Sequence, residues 1–219
     1  MIKLTDNNNF NEEYMQLLIN RVTHSTMSLE KDLGDPDNSD NAIRLRDNMK
    51  AFKHLLNNID KQQYISEELI IEIANLINDS SPYISNSYRK TGDYIAGTNI
   101  TISRTSEIRE DLLELIRNYY NEWKNIDPFE REAKFHIGFI KIHPFEDGNG
   151  RTARLFLNYN LLIQGIAPVI ITSDLEEYYY NYISNSDALG MANIFRIQSK
   201  REQEVYNLLL AGYTNGKTK

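Results

Sequence analysis

Apolar residues recur every three or four positions along most of this chain, which is the spacing of helices that bury one face. A glycine- and threonine-containing tail from Gly212 onwards is expected to fray. The pattern predicts an all-α fold. The expected helices lie at 11–24, 39–56, 66–77, 107–123, 128–142, 151–163, 174–183 and from near 198 to 210.

One segment, residues 94–103, has the character of β-structure instead. Its three β-branched residues at 100–102 favour extended backbone, and Gly97 with Asn99 can form a tight turn. A short exposed β-hairpin is the prediction, and an irregular loop is the alternative.

Composition excludes several kinds of chemistry. The chain of 219 residues has no cysteine, so disulfides, thiolate nucleophiles and thiolate metal sites are ruled out. A net charge of −7 argues against sequence-independent nucleic-acid binding, which needs a basic surface. The first residues lack the apolar region of a signal peptide, and the apolar runs are too short to span a bilayer. We therefore expect a cytoplasmic protein without nucleic-acid or membrane partners.

Residues 143–154, His-Pro-Phe-Glu-Asp-Gly-Asn-Gly-Arg-Thr-Ala-Arg, concentrate groups that can handle polyphosphates. Residues 148–150 precede a predicted helix, where converging backbone N–H groups and the helix dipole attract anions. Arg151 and Arg154 are three positions apart on that helix, so both can face the same ligand. This part of the segment suits a di- or triphosphate.

Asp147 and His143 supply the two remaining groups. A single carboxylate plus substrate phosphates is the usual way in which a protein holds Mg²⁺. A neutral imidazole can take a proton from an attacking hydroxyl. Each feature alone is more often structural, since glycine turns, single histidines and surface arginines are common. Their co-occurrence within one short segment favours a metal–polyphosphate site beside a general base.

This segment resembles the signature of the Fic family, His-Pro-Phe-x-(Asp/Asn)-Gly-Asn-Gly-Arg-x-x-Arg, at every specified position. Residues 133–142 resemble the family's helix before the signature, and residues 155–180 resemble its continuation. The resemblance implies a Fic-type helical core with a short β-hairpin flap. It divides the chain into an N-terminal helical arm at 1–58, a core at 59–205, and a C-terminal helix end and tail at 206–219.

The resemblance also implies an activity, the transfer of AMP from ATP to a Ser, Thr or Tyr hydroxyl of a protein, with self-modification included, and with release of pyrophosphate. His143 would deprotonate the hydroxyl, and Asp147 would hold Mg²⁺ or Mn²⁺ against the phosphates. Arg154 would reach the γ-phosphate. The other implied phosphate contacts are those of Gly148, Asn149, Gly150 and Arg151.

Two further contacts follow from the resemblance. Tyr179 falls where the family has an aromatic residue beside the adenine, and a packed core tyrosine is the alternative. The segment 94–103, together with Tyr88 and Arg89, resembles the family's flap, which would dock the protein substrate by strand addition. Strand addition uses backbone groups, so the sequence does not identify the target. Whether the chain self-associates stays open.

The N-terminal arm resembles an inhibitory pattern of the family, (Ser/Thr)-x-x-x-Glu-(Gly/Asn), from Thr26 to Glu30, but Lys31 stands at the last position. In the family this glutamate pairs with the second signature arginine and blocks productive placement of the γ-phosphate. The resemblance therefore implies autoinhibition through Glu30, with an ordinary surface helix end as the alternative. Competition by an exposed lysine is worth only about 0.2–1 kcal/mol, so Lys31 would weaken inhibition without abolishing it.

Other functions stay open at this point. The site could use another nucleotide, or it could remove AMP with Glu30 activating water. A nucleotide-binding toxin–antitoxin module with vestigial catalysis is a third alternative, against which the retained His143 argues. A histidine-based metal hydrolase is disfavoured, because His136 and His143 have no second carboxylate at a compatible spacing.

Overall fold

The computed structural model describes residues 9–29, 39–57, 59, 64–81, 87–92 and 100–216. No strand occurs within these residues, so the all-α prediction is confirmed. A short 3-10 turn, Ser173–Leu175, precedes the seventh helix. The helices are α1 (Asn9–Leu29), α2 (Ser39–Asn57), α3 (Glu67–Ile77), α4 (Ile108–Tyr120), α5 (Pro128–Ile142), α6 (Asn149–Ile163), α7 (Glu176–Asn185) and α8 (Ala188–Gly216).

Helix α5 lies at the centre of the core and packs against α4, α6, α7 and α8. It starts at Pro128 because the Asp127 carboxylate accepts hydrogen bonds from two N–H groups of the first turn, at 3.0 and 3.1 Å. Its predicted apolar stripe, which includes Phe135 and Phe139, is buried. Core packing therefore fixes the point at which the 143–154 segment begins.

Helix α6 is buried along nearly its whole length, between α5 and the helices α1, α2 and α3. Polar side chains on such a helix need partners inside the core. Asn158 accepts a hydrogen bond from the N–H of Val169 at 2.6 Å and donates to the carbonyl of Val169 at 3.1 Å. These two bonds tie α6 to the extended chain that follows it.

Helix α1 packs against α2, α6 and α8. The Tyr14 hydroxyl, at 3.0 Å, and the Arg21 guanidinium, at 2.7 Å, both bind the carboxylate of Glu202 on α8. Glu202 is buried, so its charge is paired inside the protein. The C-terminal end of α1 lies beside α6.

Helix α8 starts well before the predicted position near residue 198, at Ala188. The Asp187 carboxylate caps its first turn by accepting a hydrogen bond from the N–H of Gly190 at 2.8 Å. Ala188, Met191, Ala192 and Phe195 face the core at helical spacing, so the sequence does carry an apolar stripe here, which the prediction overlooked.

Helix α8 extends to Gly216, beyond its predicted end near Leu210, and fraying of the tail stays a prediction. Tyr213 packs partly buried against the core, which gives these last turns an apolar contact. Although α8 has 29 residues, neither it nor any other described helix is long and apolar enough to cross a membrane.

The predicted hairpin at 94–103 lies mostly outside the described residues, which omit 93–99. Residues 100–103 are described and have no regular secondary structure. The N–H of Ser103 donates to the carbonyl of Lys141 at 3.1 Å, which ties this segment to α5. The hairpin itself stays a prediction.

Candidate active site

The loop between α5 and α6 begins with a histidine in an uncommon backbone conformation. His143 has a φ of 50°, in the left-handed region that residues with a side chain rarely adopt. Its N–H donates to the carbonyl of Phe139 at 3.0 Å and closes α5. Phe145 then enters the core, with its ring near those of Phe139 and Tyr88. The loop is therefore anchored directly after the histidine.

Asn149 uses both ends of its side-chain amide to shape this loop. Its Oδ1 accepts from the N–H of Phe145 at 2.9 Å, and its Nδ2 donates to the carbonyl of Phe145 at 2.6 Å. The phosphate contact predicted for Asn149 is thus left to its backbone. The first N–H groups of a helix lack acceptors within the helix, and such groups bind anions.

Gly148 is required by the close approach of α3. Its φ is +82°, and a Cβ there would stand 2.9 Å from Nδ2 of Asn78 and 3.1 Å from Cγ2 of Ile77. Asn78 also donates from Nδ2 to the carbonyl of Asp147 at 3.1 Å. The end of α3 therefore presses the loop against the start of α6.

Asp147 is an ionised carboxylate held by several donors. Its Oδ2 accepts from Arg44 at 2.5 Å and from Arg151 at 2.9 Å, and its Oδ1 accepts from the N–H of Gly148 at 2.6 Å. Burial alone would raise the pKa of Asp147, but attraction to Arg151 and Arg44 lowers this pKa below its ordinary value. Asp147 is therefore negatively charged at neutral pH.

Arg151 lies beneath the loop with no exposed surface. Besides binding Asp147, it donates to the carbonyl of Ile77 at 3.4 Å and to Oδ1 of Asn78 at 3.3 Å. A guanidinium suits this place because the last carbonyls of a helix carry partial negative charge. In the structure Arg151 joins α3 to α6, and its contact with phosphates stays a prediction.

Arg154 is almost fully buried and links α1 to α7. It donates to Oγ1 of Thr26 at 3.4 Å, to the carbonyl of Thr26 at 3.3 Å and to the hydroxyl of Tyr179 at 3.3 Å. The Tyr179 hydroxyl is also hydrogen-bonded to Nε2 of His136, 2.6 Å away, in a direction set by the tautomer of the imidazole. Burial and the charge of Arg154 lower the pKa of His136 to about 3, so the ring is neutral.

Tyr179 is 2% exposed, so the structure gives it the position of a packed core tyrosine. Its ring lies edge-on to that of His136, with the centroids 5.6 Å apart. It supports Arg154 from behind, and its predicted contact with adenine stays a prediction.

The structure brings Thr26, the first residue of the inhibitory pattern, to Arg154. Helix α1 ends at Leu29, whose carbonyl accepts a hydrogen bond from the Tyr180 hydroxyl at 3.4 Å. The other two residues of the inhibitory prediction, Glu30 and Lys31, lie outside the described residues.

The carboxylate oxygens of Asp147 are suitable ligands for Mg²⁺ or Mn²⁺ held together with substrate phosphates. The carboxylate offers hard oxygen ligands, and a pocket of about 370 Å³ reaches it between α2 and the end of α3. In the part of the chain that the structure describes, no three His, Asp or Glu side chains converge on one point. A metal here would have one protein carboxylate and complete its shell with phosphate oxygens and water, as Mg²⁺ usually does beside nucleotides.

Sequence reasoning missed the roles of Arg44, Asn78 and Arg89. Arg44 reaches Asp147 across 103 positions of sequence, and Arg89 donates to the carbonyl of His143 across 54 positions. No motif marks either arginine for these contacts. Asn78 carried a weak signal, because asparagine is favoured where helices end.

Comparison with known proteins identifies the core of the chain. Residues 64–161 match the model of the Fic/DOC family. The chain is 30% identical over 163 residues to "Protein adenylyltransferase Fic" of Nematostella vectensis, and the match covers 71% of this chain and 36% of that protein. The chain thus spans about a third of the length of that relative.

Solved structures share the fold. A Fic domain containing signaling protein from Bacteroides thetaiotaomicron has a TM-score of 0.70 at 19% identity, and the match covers 97% of this chain and 89% of that one. IbpAFic2 in complex with adenylylated Cdc42 has a TM-score of 0.58 at 18% identity, covering 82% and 63%. At these identities the likeness establishes the arrangement of the helices.

Proposed function

This chain is a Fic/DOC family protein, and we propose that it transfers AMP from ATP to a hydroxyl group of a protein, releasing pyrophosphate. The observation that best supports this proposal is the arrangement of groups around the start of α6. There the N–H groups of residues 149–151 and the ionised Asp147 border the loop that begins at His143, and Arg154 follows one turn later on α6. The relative named protein adenylyltransferase and the complex of IbpAFic2 with adenylylated Cdc42 support this reaction and a protein substrate.

The reaction needs a base and a surface that neutralises charge. His143 takes the proton of the attacking hydroxyl while the hydroxyl oxygen bonds to the α-phosphorus. The bond from the α-phosphorus to the oxygen shared with the β-phosphate breaks, and pyrophosphate leaves with that oxygen. A divalent cation at Asp147 would neutralise part of the charge of the phosphates. The N–H groups of Gly150 and Arg151 hold phosphate oxygens, and Arg154 meets the γ-phosphate.

Helix α1 is proposed to restrain this site. Arg154, which is assigned to the γ-phosphate, already donates to the side chain and the carbonyl of Thr26. Glu30 follows in sequence directly after the end of α1. A pair between Glu30 and Arg154 would keep the γ-phosphate from its productive position, and Lys31 would weaken that pair.

The protein substrate is proposed to dock on the segment 94–103 by strand addition. Its described end is tied to the end of α5 through the bond from Ser103 to Lys141, which supports docking close to the base. Self-modification is part of the proposal. Tyr64 and Tyr178, which are 73% and 57% exposed, are the candidate acceptors.

Labelling with ATP that carries ³²P in its α-phosphate tests the reaction. The protein, with Mg²⁺ or Mn²⁺ and with or without cell lysate, should incorporate label, and His143→Ala should lower the rate by about 10²- to 10⁴-fold. His54→Ala is the matched control, because His54 lies on the surface of α2 and pairs with Glu72. Undiminished labelling in His143→Ala would reject the assigned base.

Two further arms separate the alternatives. Label from the γ-phosphate would indicate phosphate transfer, and loss of label from modified protein after removal of ATP would indicate AMP removal. Glu30→Gly should raise labelling if α1 restrains the site, and an unchanged rate would reject autoinhibition. Mass spectrometry of the labelled proteins then identifies the acceptor residue.

A further inference from the structure

One arginine outside the signature, Arg89, joins the loop of His143 to a second loop. Its side chain is 3% exposed. Its Nε donates to the carbonyl of His143 at 2.6 Å, and its Nη2 donates to the carbonyl of Ile142 at 3.4 Å. On the other side, Nη1 donates to the carbonyl of Thr91 at 3.1 Å, and Nη2 also donates to the carbonyl of Ser103.

The first pair of bonds stabilises the end of α5. The last carbonyls of a helix have no donors within the helix and carry partial negative charge, so a guanidinium satisfies them in both respects. The carbonyl of His143 belongs to the residue with the left-handed backbone, a conformation that persists only where its surroundings hold it. The N–H of Arg89 itself donates to the carbonyl of Pro144 at 2.8 Å, so the residue after His143 is held as well.

The second pair of bonds brings two distant points of the chain to the same guanidinium. Thr91 precedes the segment 94–103 on which the protein substrate is proposed to dock, Ser103 is the last residue of that segment, and both carbonyls accept from Arg89. The N–H of Ser103 donates to the carbonyl of Lys141, which reinforces the attachment to α5. The guanidinium of Arg89 therefore holds the backbone of His143, Thr91 and Ser103 together.

We propose that Arg89 is a positioning residue for the general base: it fixes the backbone of His143 and sets it relative to residues 91 and 103. The role of His143 as base rests on the proposed function. The positioning itself does not, because it can be observed in the protein without turnover. Each contact of Arg89 named here is with the His143 loop or with the flanks at 91 and 103, so nucleotide affinity should not depend on it.

Arginine is specifically suited to this position. Its planar guanidinium offers five N–H donors in a fixed geometry and can bind several carbonyls at once. Lysine offers three donors on a flexible stem and cannot span the same carbonyls. Arg89→Lys therefore keeps the positive charge but removes the planar set of N–H donors that binds several carbonyls at once.

Histidine NMR tests the positioning directly, because the chain has only four histidines. In Arg89→Lys the imidazole resonances of His143 should shift or broaden, while those of His24, His54 and His136 stay in place. The matched control is Arg109→Lys, since Arg109 is an exposed arginine that pairs with Glu67 near the same loop. This control should leave all the histidine resonances unchanged.

Kinetics provide the second readout. For Arg89→Lys we expect kcat to fall by about 10- to 100-fold, the cost of a misplaced reacting group. The Kd of a non-hydrolysable ATP analogue should stay within about twofold of wild type, because lost positioning removes only an interaction made in the transition state. If Arg89→Lys shows no cooperative unfolding transition, Arg89→Gln replaces it, since glutamine keeps N–H donors without burying a charge.

The outcomes separate cleanly. Unchanged His143 resonances would overturn the proposal, and so would a loss of nucleotide affinity equal to the loss of kcat. A wild-type protein that transfers no AMP would reject the proposed function, yet the resonances of His143 would still show whether Arg89 positions it. A displaced His143 together with intact nucleotide binding supports the proposal.

Discussion

Arg44 on α2 donates to the carboxylate of Asp147 across 2.5 Å, so a cation from the N-terminal arm lies against the group assigned to the metal. Arg151 binds the same oxygen but is fully buried, whereas the Arg44 side chain is 34% exposed. Arg44 is therefore the arginine that can withdraw. A metal ion that binds Asp147 would compete with the Arg44–Asp147 ion pair and would therefore weaken the contact between α2 and this loop.

Replacing Arg44 by methionine should favour the metal-bound site. A partly exposed ion pair is worth about 0.2–1 kcal/mol, so the Mn²⁺-dependent affinity for a non-hydrolysable ATP analogue should rise by roughly 1.5- to 5-fold. Calorimetric titration at several Mn²⁺ concentrations measures this. Arg46→Met is the control, because Arg46 binds Ser80 on the surface. Weaker binding in Arg44→Met would mean that Arg44 contacts phosphate instead.

Gly148→Ala should distort the loop that carries Asp147. The new methyl group would meet the side chain of Asn78 at 2.9 Å, and the backbone φ of +82° is unfavourable for alanine. We expect the free energy of unfolding to drop by about 1–3 kcal/mol, together with a loss of nucleotide binding. Gly212→Ala should do the opposite and add about 0.5–1 kcal/mol, because nothing lies within 4 Å of its Cβ position on α8. Chemical denaturation compares the two, and equal stabilities would refute the argument.

The buried Glu132 should make stability depend on pH. Burial raises the pKa of Glu132 from 4.5 to about 7, despite hydrogen bonds from the Tyr119 hydroxyl at 2.5 Å and from Nδ2 of Asn160 at 2.8 Å. A carboxyl whose pKa is raised on folding contributes its full stabilisation below pH 4.5 and loses it as the pH rises through 7.

Urea unfolding between pH 4.5 and 8 checks this contribution. Glu132→Gln removes the titrating group, so the difference in the free energy of unfolding between the variant and wild type should shift in favour of the variant as the pH rises. The control is Glu130→Gln, which replaces a partly exposed glutamate two residues before Glu132 in α5. Parallel curves for Glu132→Gln and wild type would show that Glu132 stays charged in the folded protein.

Tyr179→Phe should show how much the hydrogen bonds of the Tyr179 hydroxyl, behind Arg154, contribute to stability. Phenylalanine fills the same volume but leaves Nε2 of His136 without its hydrogen-bond partner and Arg154 without one acceptor. Leaving such buried groups unsatisfied costs about 1–3 kcal/mol of stability. The neighbouring Tyr178→Phe, at an exposed position, should cost almost nothing. Thermal unfolding of both variants decides the matter, and a neutral Tyr179→Phe would contradict the hydrogen-bond chain.

The sequence predicted those parts of the molecule whose signal is local. The apolar period of α5 and the signature after it gave the core helix and the loop chemistry, because both depend on residues close together in the chain. The contacts of Arg44 and Arg89 could not be predicted, since each reaches the loop from a helix or loop far away in sequence. In the sequence alone, nothing distinguishes either arginine from an ordinary surface arginine.

The same reasoning explains what happened to Tyr179 and Arg151. The family resemblance implied that both residues contact the nucleotide, but position along the chain does not reveal how deeply a side chain is buried. The core closes over Tyr179, and the end of α3 covers Arg151. Residue identity thus predicted the chemistry of the site, whereas the supporting contacts depend on how the helices pack.

Glu202 gives this architecture a mechanical property. It binds Tyr14 near the N-terminal end of α1 and Arg21 past the middle of that helix, while Thr26 near the C-terminal end binds Arg154. Helix α1 is therefore held by side chains of two other helices, Glu202 of α8 and Arg154 of α6. A change that breaks the contacts of Glu202 with α1 would let this helix shift and would alter its hydrogen bonds with Arg154, although α8 contributes no residue to the signature.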